Sequence, residues 1–288
     1  MLKGAITALI TPFDKNGNID FIAMEKIIEY QIQNKIDGLV VCGTTGESAT
    51  LSDNEKKELI QFVVKKVNKR VPVIAGTGSN NTKHSIELSK YAESVGVDYL
   101  LLVTPYYNKT NQKGLIEHYT AIANSVKTPC ILYNVPSRTG VDMLPETVLE
   151  LSKVPNIIGI NEASNNFSNI LKICSKKYKD FLVFSGNDDS IIPLLSLGGN
   201  GVISVLSNVF PEEVHNMCKY YFENNIAEST NLQFKFANVI FSLFSDVNPI
   251  PIKEAMYQKG FCTNTVRLPL IQLTAEKKEC LKNILNSI

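Results

Sequence analysis

Polar residues that could do chemistry follow several short apolar runs of the chain. Two adjacent hydroxyls, Thr44 and Thr45, lie between Gly43 and Gly46, and glycine lets the backbone approach a ligand closely. Such a turn can present backbone N–H groups to a carboxylate. Further polar clusters occupy residues 104–109, 133–140, 161–164 and 185–189. Each cluster alone is a weak signal, and the Asn-Asp-Asp run at 187–189 is best read as capping the next helix.

The elements that must position these clusters alternate between apolar runs and helical patterns. Strand-sized apolar runs occupy residues 5–10, 38–41, 71–75, 99–103, 130–133, 157–160, 182–184 and 202–205. Helical patterns cover residues 53–69 and 82–95, among others. Ser52 and Glu55 have the types and spacing of a capping box, and Asn81 or Thr82 is expected to cap the second of these helices.

Eight apolar runs without alternation, each followed by a helix, are typical of strands buried on both faces of a parallel barrel. The predicted fold is therefore a (β/α)8 barrel over residues 1–224, with a doubly wound open sheet as the alternative. From residue 225 the pattern is helical only, over 226–244, 252–259 and 274–288, which predicts a C-terminal helical extension. In such barrels the chemistry lies at the C-terminal ends of the strands, so the clusters should converge there.

Composition excludes several classes of function. The chain has 288 residues, a net charge of +1 and no long basic run, which argues against nucleic-acid binding. No apolar run approaches the roughly 20 residues of a membrane helix, and the start lacks signal-peptide features, so we expect a cytoplasmic protein. The six cysteines form no CxxC pair, and His84, His118 and His215 lie in helical stretches. We therefore expect buried, reduced thiols and no metal.

The strand-end motifs resemble those of the dihydrodipicolinate synthase family, within the N-acetylneuraminate lyase superfamily. The resemblance covers roughly residues 2–288. It depends on four motifs in the family's order and spacing, at residues 43–47, 104–108, 133–140 and 186–188. Arg138 favours the synthases, because the sialic acid lyases lack an arginine in that loop. The implied reaction condenses pyruvate with aspartate semialdehyde at the entry to lysine and diaminopimelate synthesis. It uses no external cofactor and proceeds through an imine on a lysine at the end of strand six.

The resemblance implies an acid/base set. Tyr133 would transfer protons, and Thr44 would link it to Tyr107 of a neighbouring subunit, because a buried tyrosine needs a hydrogen-bonded chain to move a proton. A tyrosine that crosses between subunits requires at least a tight dimer, and the family is usually a tetramer, a dimer of dimers.

The resemblance also implies how the two substrates are held. Thr45 would bind the pyruvate carboxylate through its hydroxyl and backbone N–H. Arg138 would bind the semialdehyde carboxylate, a role suited to a planar, permanently charged group. Gly186 and Ile203 would line the pyruvate pocket.

Asn161 stands where the family has its imine-forming lysine. The flanking residues 159–160 and 162–164 match the family pattern, so the difference is not a shift in alignment. An imine requires a neutral amine, whereas the lone pair of an amide nitrogen is delocalised. Loss of the nucleophile costs on the order of 10⁶ in turnover in a well-studied protease. Lys109, Lys113 and Lys253 are not obvious substitutes by position, so we expect synthase activity near zero.

Three explanations of Asn161 remain open: a laboratory variant made inert, a natural homologue that has lost the reaction, or a protein with a reaction that needs no imine. The retained acid/base set and Arg138 favour the first. The alternative functions are a catalytically silent homologue that binds a keto acid, and another aldolase or lyase of the same superfamily. Asn161→Lys would discriminate between them.

A second departure concerns regulation. Relatives that are inhibited by lysine use a glutamate near the start of the helix after strand three, where this chain has His84, with Lys56 and Asp53 nearby. A cation at Lys56 without a carboxylate at position 84 disfavours an ammonium ligand. We expect weak or absent lysine inhibition.

Overall fold

Eight parallel strands close into a barrel in the computed structural model, which describes residues 2–288. The strands are β1 (Gly4–Ala8), β2 (Gly38–Val41), β3 (Val73–Gly76), β4 (Tyr99–Val103), β5 (Cys130–Asn134), β6 (Ile157–Glu162), β7 (Leu182–Ser185) and β8 (Gly201–Ser204). Each strand pairs with its neighbour in the chain, and β1 pairs with β8, with Ile6 opposite Ile203. The predicted (β/α)8 barrel is confirmed, and the open sheet is excluded.

Nine helices cover the barrel and four follow it within the described chain. The first nine are α1 (Phe21–Gln33), α2 (Asp53–Val67), α3 (Thr82–Ser94), α4 (Gln112–Ala123), α5 (Pro136–Thr139), α6 (Pro145–Leu151), α7 (Phe167–Lys176), α8 (Ile191–Ser196) and α9 (Pro211–Phe222). The C-terminal four are α10 (Ile226–Lys235), α11 (Ala237–Leu243), α12 (Ile250–Gln258) and α13 (Ala275–Asn286). The capping box of Ser52 and Glu55 is present at α2, and Asn81 caps α3.

Two element boundaries differ from the sequence prediction in a way that matters. The predicted helix 226–244 divides into α10 and α11 at Phe236, whose buried ring packs against Phe210 at 4.9 Å between centroids. Strand β6 extends two residues further than predicted, because Asn161 and Glu162 still pair with Phe184 and Ser185 of β7. Asn161 is therefore a strand residue rather than part of the loop that follows.

The core has two layers, and their arrangement positions the site. A large apolar cluster lies between the strands and the surrounding helices. A smaller cluster fills the inside of the barrel and consists of Leu2, Ile6, Ala8, Val40, Ile74, Leu101, Ile131, Leu182, Phe184 and Ile203. Burial of each large apolar side chain contributes about 1.5–3 kcal/mol. Because these side chains fill the barrel interior, a ligand cannot bind there and must bind at the strand ends.

Two expectations from the sequence are wrong. The Asp188 carboxylate does not cap the next helix; it accepts hydrogen bonds from the Ser204 hydroxyl and from the N–H groups of Val205 and Leu206, at 2.5, 3.0 and 2.9 Å. Its partners lie on the neighbouring β8 turn, which local spacing does not reveal. Burial raises the pKa of Asp188 to about 6. All six cysteines are free thiols as expected, but only Cys42, Cys130 and Cys218 are buried, whereas Cys174 and Cys262 are half-buried and Cys280 is exposed.

Candidate active site

A cavity of about 190 Å³ lies at the C-terminal end of the barrel. Seven of the eight residues assigned to the site line it, namely Thr44, Thr45, Tyr133, Arg138, Asn161, Gly186 and Ile203. They come from β5, β6, β8 and the loops after β2, β5 and β7, so the barrel brings together residues that are up to 159 positions apart. The strand-end rule therefore locates the cavity correctly.

Tyr107 does not join this cavity within the described chain. It lies in the loop after β4 with a left-handed backbone, φ 67°, and its side chain is 92% exposed. The assignment of Tyr107 to a neighbouring subunit's site stays a prediction.

Tyr133 and Asn161 are direct partners on adjacent strands, so their side chains share the inner face of the barrel. Burial raises the pKa of Tyr133, while the Thr44 hydroxyl and the charge of Arg138 oppose that rise. The phenol is therefore protonated at neutral pH, with Thr44 as its immediate polar neighbour.

The Asn161 side chain is nearly fully buried, and its Oδ1 has no hydrogen-bond partner among residues 2–288. Gly186, the residue after β7, lies directly beside it. A Cβ at Gly186 would be 3.1 Å from Asn161 Oδ1 and 2.7 Å from the Cβ of Ala163. Any side chain at position 186 would therefore crowd the Asn161 amide and Ala163.

Glu162, the next residue of β6, faces away from the cavity because strand side chains alternate. Asn134 Nδ2 donates to both of its carboxylate oxygens at 3.1 Å, and the N–H of Ser164 donates at 2.8 Å. Burial raises the pKa of Glu162, and these hydrogen bonds oppose the rise. The network ties the ends of β5 and β6 together behind the site.

The loop after β2, which we call the β2 turn (residues 43–47), is held by a buried ion pair that the sequence did not reveal. Glu47 has φ 51° and a buried side chain, and its Oε1 accepts from Lys253 Nζ at 2.5 Å. The backbone N–H of Arg267 donates to Oε2 at 3.0 Å, and the Lys253 ammonium lies 3.9 Å from the centre of the Phe13 ring. Burial lowers the pKa of Lys253, against the opposing effect of Glu47. The available signal was a lysine within the otherwise apolar start of α12.

Asn248, just before α12, is a second residue that the sequence did not reveal. Its Nδ2 donates to Thr45 Oγ1 at 3.0 Å, and its carbonyl oxygen accepts from Arg138 Nη2 at 3.0 Å. Asn248 also lines the cavity, and its Oδ1 is buried without a donor in the part of the chain described. One residue of the C-terminal extension thus touches both side chains assigned to carboxylate binding.

A larger cavity of about 710 Å³ adjoins the first and shares Thr44, Val135, Arg138 and Asn248 with it. Its far side holds the residues considered for regulation. His84 Nε2 lies 2.9 Å from Asp53 Oδ1, and Lys56 Nζ lies 4.0 Å from the same oxygen. The hydrogen bond with His84 lowers the pKa of Asp53.

Two further findings concern residues 2–288 as described. No group of three or more His, Cys, Asp or Glu side chains is placed to hold a metal ion. No helix has the length and apolar character needed to cross a lipid bilayer.

The two other histidines lie away from the 190 Å³ cavity. His118 is buried with its Nδ1 2.9 Å from the Thr82 hydroxyl, and His215 Nδ1 lies 2.9 Å from Asp37.

Comparison with known proteins agrees with this geometry. The family model described as dihydrodipicolinate synthetase matches residues 1–288. The chain is 51% identical to 4-hydroxy-tetrahydrodipicolinate synthase 1 of Clostridium acetobutylicum over 282 residues, covering 98% of this chain and 96% of that protein. The crystal structure of a dihydrodipicolinate synthase from Bacillus anthracis superposes with a TM-score of 0.97 at 43% identity, covering 100% and 99% of the two chains. The chain therefore belongs to the dihydrodipicolinate synthetase family.

Proposed function

We propose that this chain has the substrate-binding site of a cytoplasmic synthase that condenses pyruvate with aspartate semialdehyde for lysine and diaminopimelate synthesis, but lacks the group that performs the covalent step. One observation carries the proposal. Seven of the eight site residues line one cavity, all except Tyr107. Among these seven, only Asn161 departs from the family pattern, because it stands at the position of the imine-forming lysine.

The proposed binding of pyruvate follows from the hydrogen bonds of the β2 turn. Asn248 Nδ2 donates to Thr45 Oγ1, so the Thr45 hydroxyl keeps its own proton free for a carboxylate oxygen. A permanently charged guanidinium suits the carboxylate of the second substrate, and Arg138 is exposed where the two cavities meet.

The proposed loss of activity follows from the chemistry at β6. Asn161 offers an amide, which does not attack a ketone. Lys253 does not take over, because its ammonium is engaged by Glu47 and by the carbonyl oxygen of Thr265 at 2.7 Å, and it does not line the 190 Å³ cavity. Turnover near zero is the expected result for the chain as written.

The test is to mix the protein with pyruvate and borohydride and to record its intact mass. An imine reduced by borohydride adds a fixed mass to the chain. We expect no adduct on the chain as written and one adduct on the Asn161→Lys variant, located by peptide mapping at position 161. An adduct on another residue of the unsubstituted chain would show that a different amine has replaced the lysine.

The second candidate is a silent homologue that binds a keto acid, or a lyase with a different aldehyde partner. The unpartnered amide oxygen of Asn161 is the observation that favours a non-covalent site. A screen of aldehydes with Asn161→Lys distinguishes the candidates, because Arg138 should select an aldehyde with a carboxylate. Activity with aspartate semialdehyde supports the synthase, and no activity with any aldehyde supports the silent homologue.

We propose that the working unit is a homo-oligomer, a dimer of dimers. The exposed Tyr107 at the tip of its loop supports this proposal, because a free phenol in a left-handed turn is suited to reach a neighbouring site. Sedimentation of the chain should give a tetramer, and Tyr107→Phe in the Asn161→Lys background should lower turnover. An Asn161→Lys variant that is monomeric and fully active would contradict the proposal.

We propose weak or absent inhibition by lysine. A related synthase from Cyanidioschyzon merolae, 38% identical, has been solved with lysine bound. Here Asp53 is the nearby carboxylate, and it is already engaged by His84 and Lys56. Titration of lysine against the Asn161→Lys enzyme should leave its rate nearly unchanged, whereas a full sigmoidal inhibition curve would show that this site still accepts an ammonium group.

A further inference from the structure

The β2 turn has a backbone that residues with a side chain rarely adopt. Cys42, just before the turn, and Glu47, at its end, both have positive φ, 56° and 51°. Such conformations cost free energy and persist only where the surrounding structure holds them. The shape of the turn therefore depends on contacts from outside it.

Hydrogen bonds within the turn leave two N–H groups for a ligand. The N–H of Gly46 donates to the carbonyl of Gly43 at 3.1 Å, and the N–H of Glu47 donates to the carbonyl of Thr44 at 3.0 Å. The N–H groups of Thr44 and Thr45 have no acceptor among residues 2–288, and both residues line the 190 Å³ cavity. Neighbouring N–H groups of this kind are suited to bind a carboxylate.

Thr11, in the segment after β1, supports the turn from the N-terminal part of the chain. Its side chain is 1% exposed, and its Oγ1 donates to the carbonyl oxygen of Gly46 at 2.7 Å. Thr11 is the one donor to that buried carbonyl in the part of the chain described. Pro12 follows and restricts the backbone of Thr11 to an extended conformation, so the hydroxyl is held by a stiff segment.

The same segment also reaches the end of the turn. Phe13 is fully buried, and the centre of its ring lies 3.9 Å from Lys253 Nζ, which donates to Glu47 Oε1 at 2.5 Å. The face of an aromatic ring attracts an ammonium group. The segment after β1 thus contacts Gly46 directly through Thr11 and Glu47 indirectly through Phe13 and Lys253.

We propose that Thr11 is a positioning residue for acid binding. Its hydroxyl fixes the carbonyl of Gly46 and so holds the β2 turn in the shape that presents the N–H groups of Thr44 and Thr45 to a carboxylate. The inference rests on the proposed function for the binding of an acid at Thr45. Without the hydroxyl the Gly46 carbonyl is buried without a donor, and the turn must move to satisfy it.

The experiment is calorimetric titration of the chain as written and of Thr11 variants with propionate, a carboxylate that has no reactive carbonyl. Thr11→Val keeps the shape of the side chain and removes the donor. We expect its affinity for propionate to fall roughly threefold to tenfold, the range of one hydrogen bond. Thr11→Ala, which removes the donor without adding a methyl group, should show the same loss. Thr11→Ser keeps the hydroxyl and should keep most of the affinity.

Thr147→Val is the matched control. Thr147 on α6 is equally buried, its Oγ1 donates to Gln112 Oε1 at 2.6 Å, and it lines neither of the two cavities described above. This variant also loses one buried hydroxyl, but it should leave the affinity for propionate unchanged.

Kinetics in the Asn161→Lys background separate positioning from a general loss of folded protein. Thr11→Val should lower kcat/KM for pyruvate and leave kcat/KM for aspartate semialdehyde unchanged, because the carboxylate of the semialdehyde is assigned to Arg138. A loss of folded enzyme would lower both values by the same factor.

The outcomes separate this inference from the proposed function. Equal propionate affinity in Thr11→Val, Thr11→Ala and the unsubstituted chain would overturn the positioning role and leave the acid-binding site standing. A loss in Thr11→Ser or Thr147→Val as large as that in Thr11→Val would also overturn it. Absence of propionate binding by the unsubstituted chain would overturn both the positioning role and the proposed acid site.

Discussion

The β2 turn and the end of β6 face the same cavity, but they are built in opposite ways. Side chains of the β2 turn have partners from the C-terminal part of the chain: Glu47 accepts from Lys253 and Arg267, and Thr45 accepts from Asn248. At the end of β6, the Asn161 oxygen has none within residues 2–288. In the proposed function, acid binding and the covalent step therefore belong to separate parts of the fold. On that proposal the acid-binding part is retained, and the amide of Asn161 stands in place of the imine-forming lysine.

The largest effect should come from restoring the nucleophile at β6. Asn161→Lys places an amine beside Tyr133, and we expect turnover of pyruvate and aspartate semialdehyde to rise by on the order of 10⁶ over the chain as written. Asn161→Met, which supplies length without an amine, is the control and should stay inactive. If the folded Asn161→Lys variant binds pyruvate but does not convert the two substrates, the β2 turn and the end of β6 are not separable in the way proposed.

Breaking the ion pair behind the β2 turn should cost several kcal/mol of stability. Lys253→Met leaves the Glu47 carboxylate buried without its cation, and we expect the free energy of unfolding to fall by about 3–5 kcal/mol. The double substitution Glu47→Leu with Lys253→Met should recover most of that loss. Lys35→Met, which breaks the exposed pair of Lys35 with Glu212, is the control and should change denaturant unfolding little. If Lys253→Met and the double variant lose the same free energy of unfolding, the loss does not come from leaving the Glu47 carboxylate without its cation.

A smaller effect is expected where the two regions meet at Asn248. Asn248→Leu removes the amide that donates to Thr45 and keeps the carbonyl that binds Arg138. We expect the affinity for propionate, measured by calorimetry, to fall roughly tenfold, since one buried hydroxyl loses its partner. Arg138→Lys tests the other contact and should weaken a dicarboxylate more than a monocarboxylate. Unchanged propionate affinity in Asn248→Leu would show that the β2 turn holds its shape without this residue.

The smallest effect on stability is expected at Glu55, which Arg267 binds. Arg267 also donates its backbone N–H to Glu47 of the β2 turn. The hydrogen bond from the Arg267 side chain lowers the pKa of Glu55 to about 2 from an ordinary 4.5. A carboxyl whose folded pKa is depressed contributes stability that is present above pH 4.5 and is lost as the pH falls through about 2. Because Glu55 is partly exposed, we expect Glu55→Gln to lower the free energy of unfolding by about 1 kcal/mol at pH 7. The difference between the two proteins should vanish near pH 2, and a constant difference across the range would contradict the assignment.

Sequence patterns predicted the barrel and the cavity because both follow from local rules. Unbroken apolar runs mark strands, and the strand-end rule then brings Thr44, Tyr133 and Asn161 together without knowledge of any contact. The capping box at Ser52 is likewise a signal contained within four residues.

The supports of the site could not be predicted because their contacts span most of the chain. The bonds from Asn248 to Thr45 and from Lys253 to Glu47 join residues 203 and 206 positions apart. Local spacing places Asp188 on its own helix for the same reason, since its partners lie on the turn after β8. The unpaired oxygen of Asn161 also has no signature in the sequence, because any buried asparagine would be expected to find a partner.

The long span of these bonds has a consequence for synthesis of the protein. The β2 turn is translated within the first fifty residues, but Asn248, Lys253 and Arg267, which hold it, are among the last forty or so. Because synthesis proceeds from the N-terminus, the barrel strands can be complete while the β2 turn still lacks these supports. On the proposed function, we expect the nascent chain to acquire affinity for its ligand only when the C-terminal residues leave the ribosome and dock.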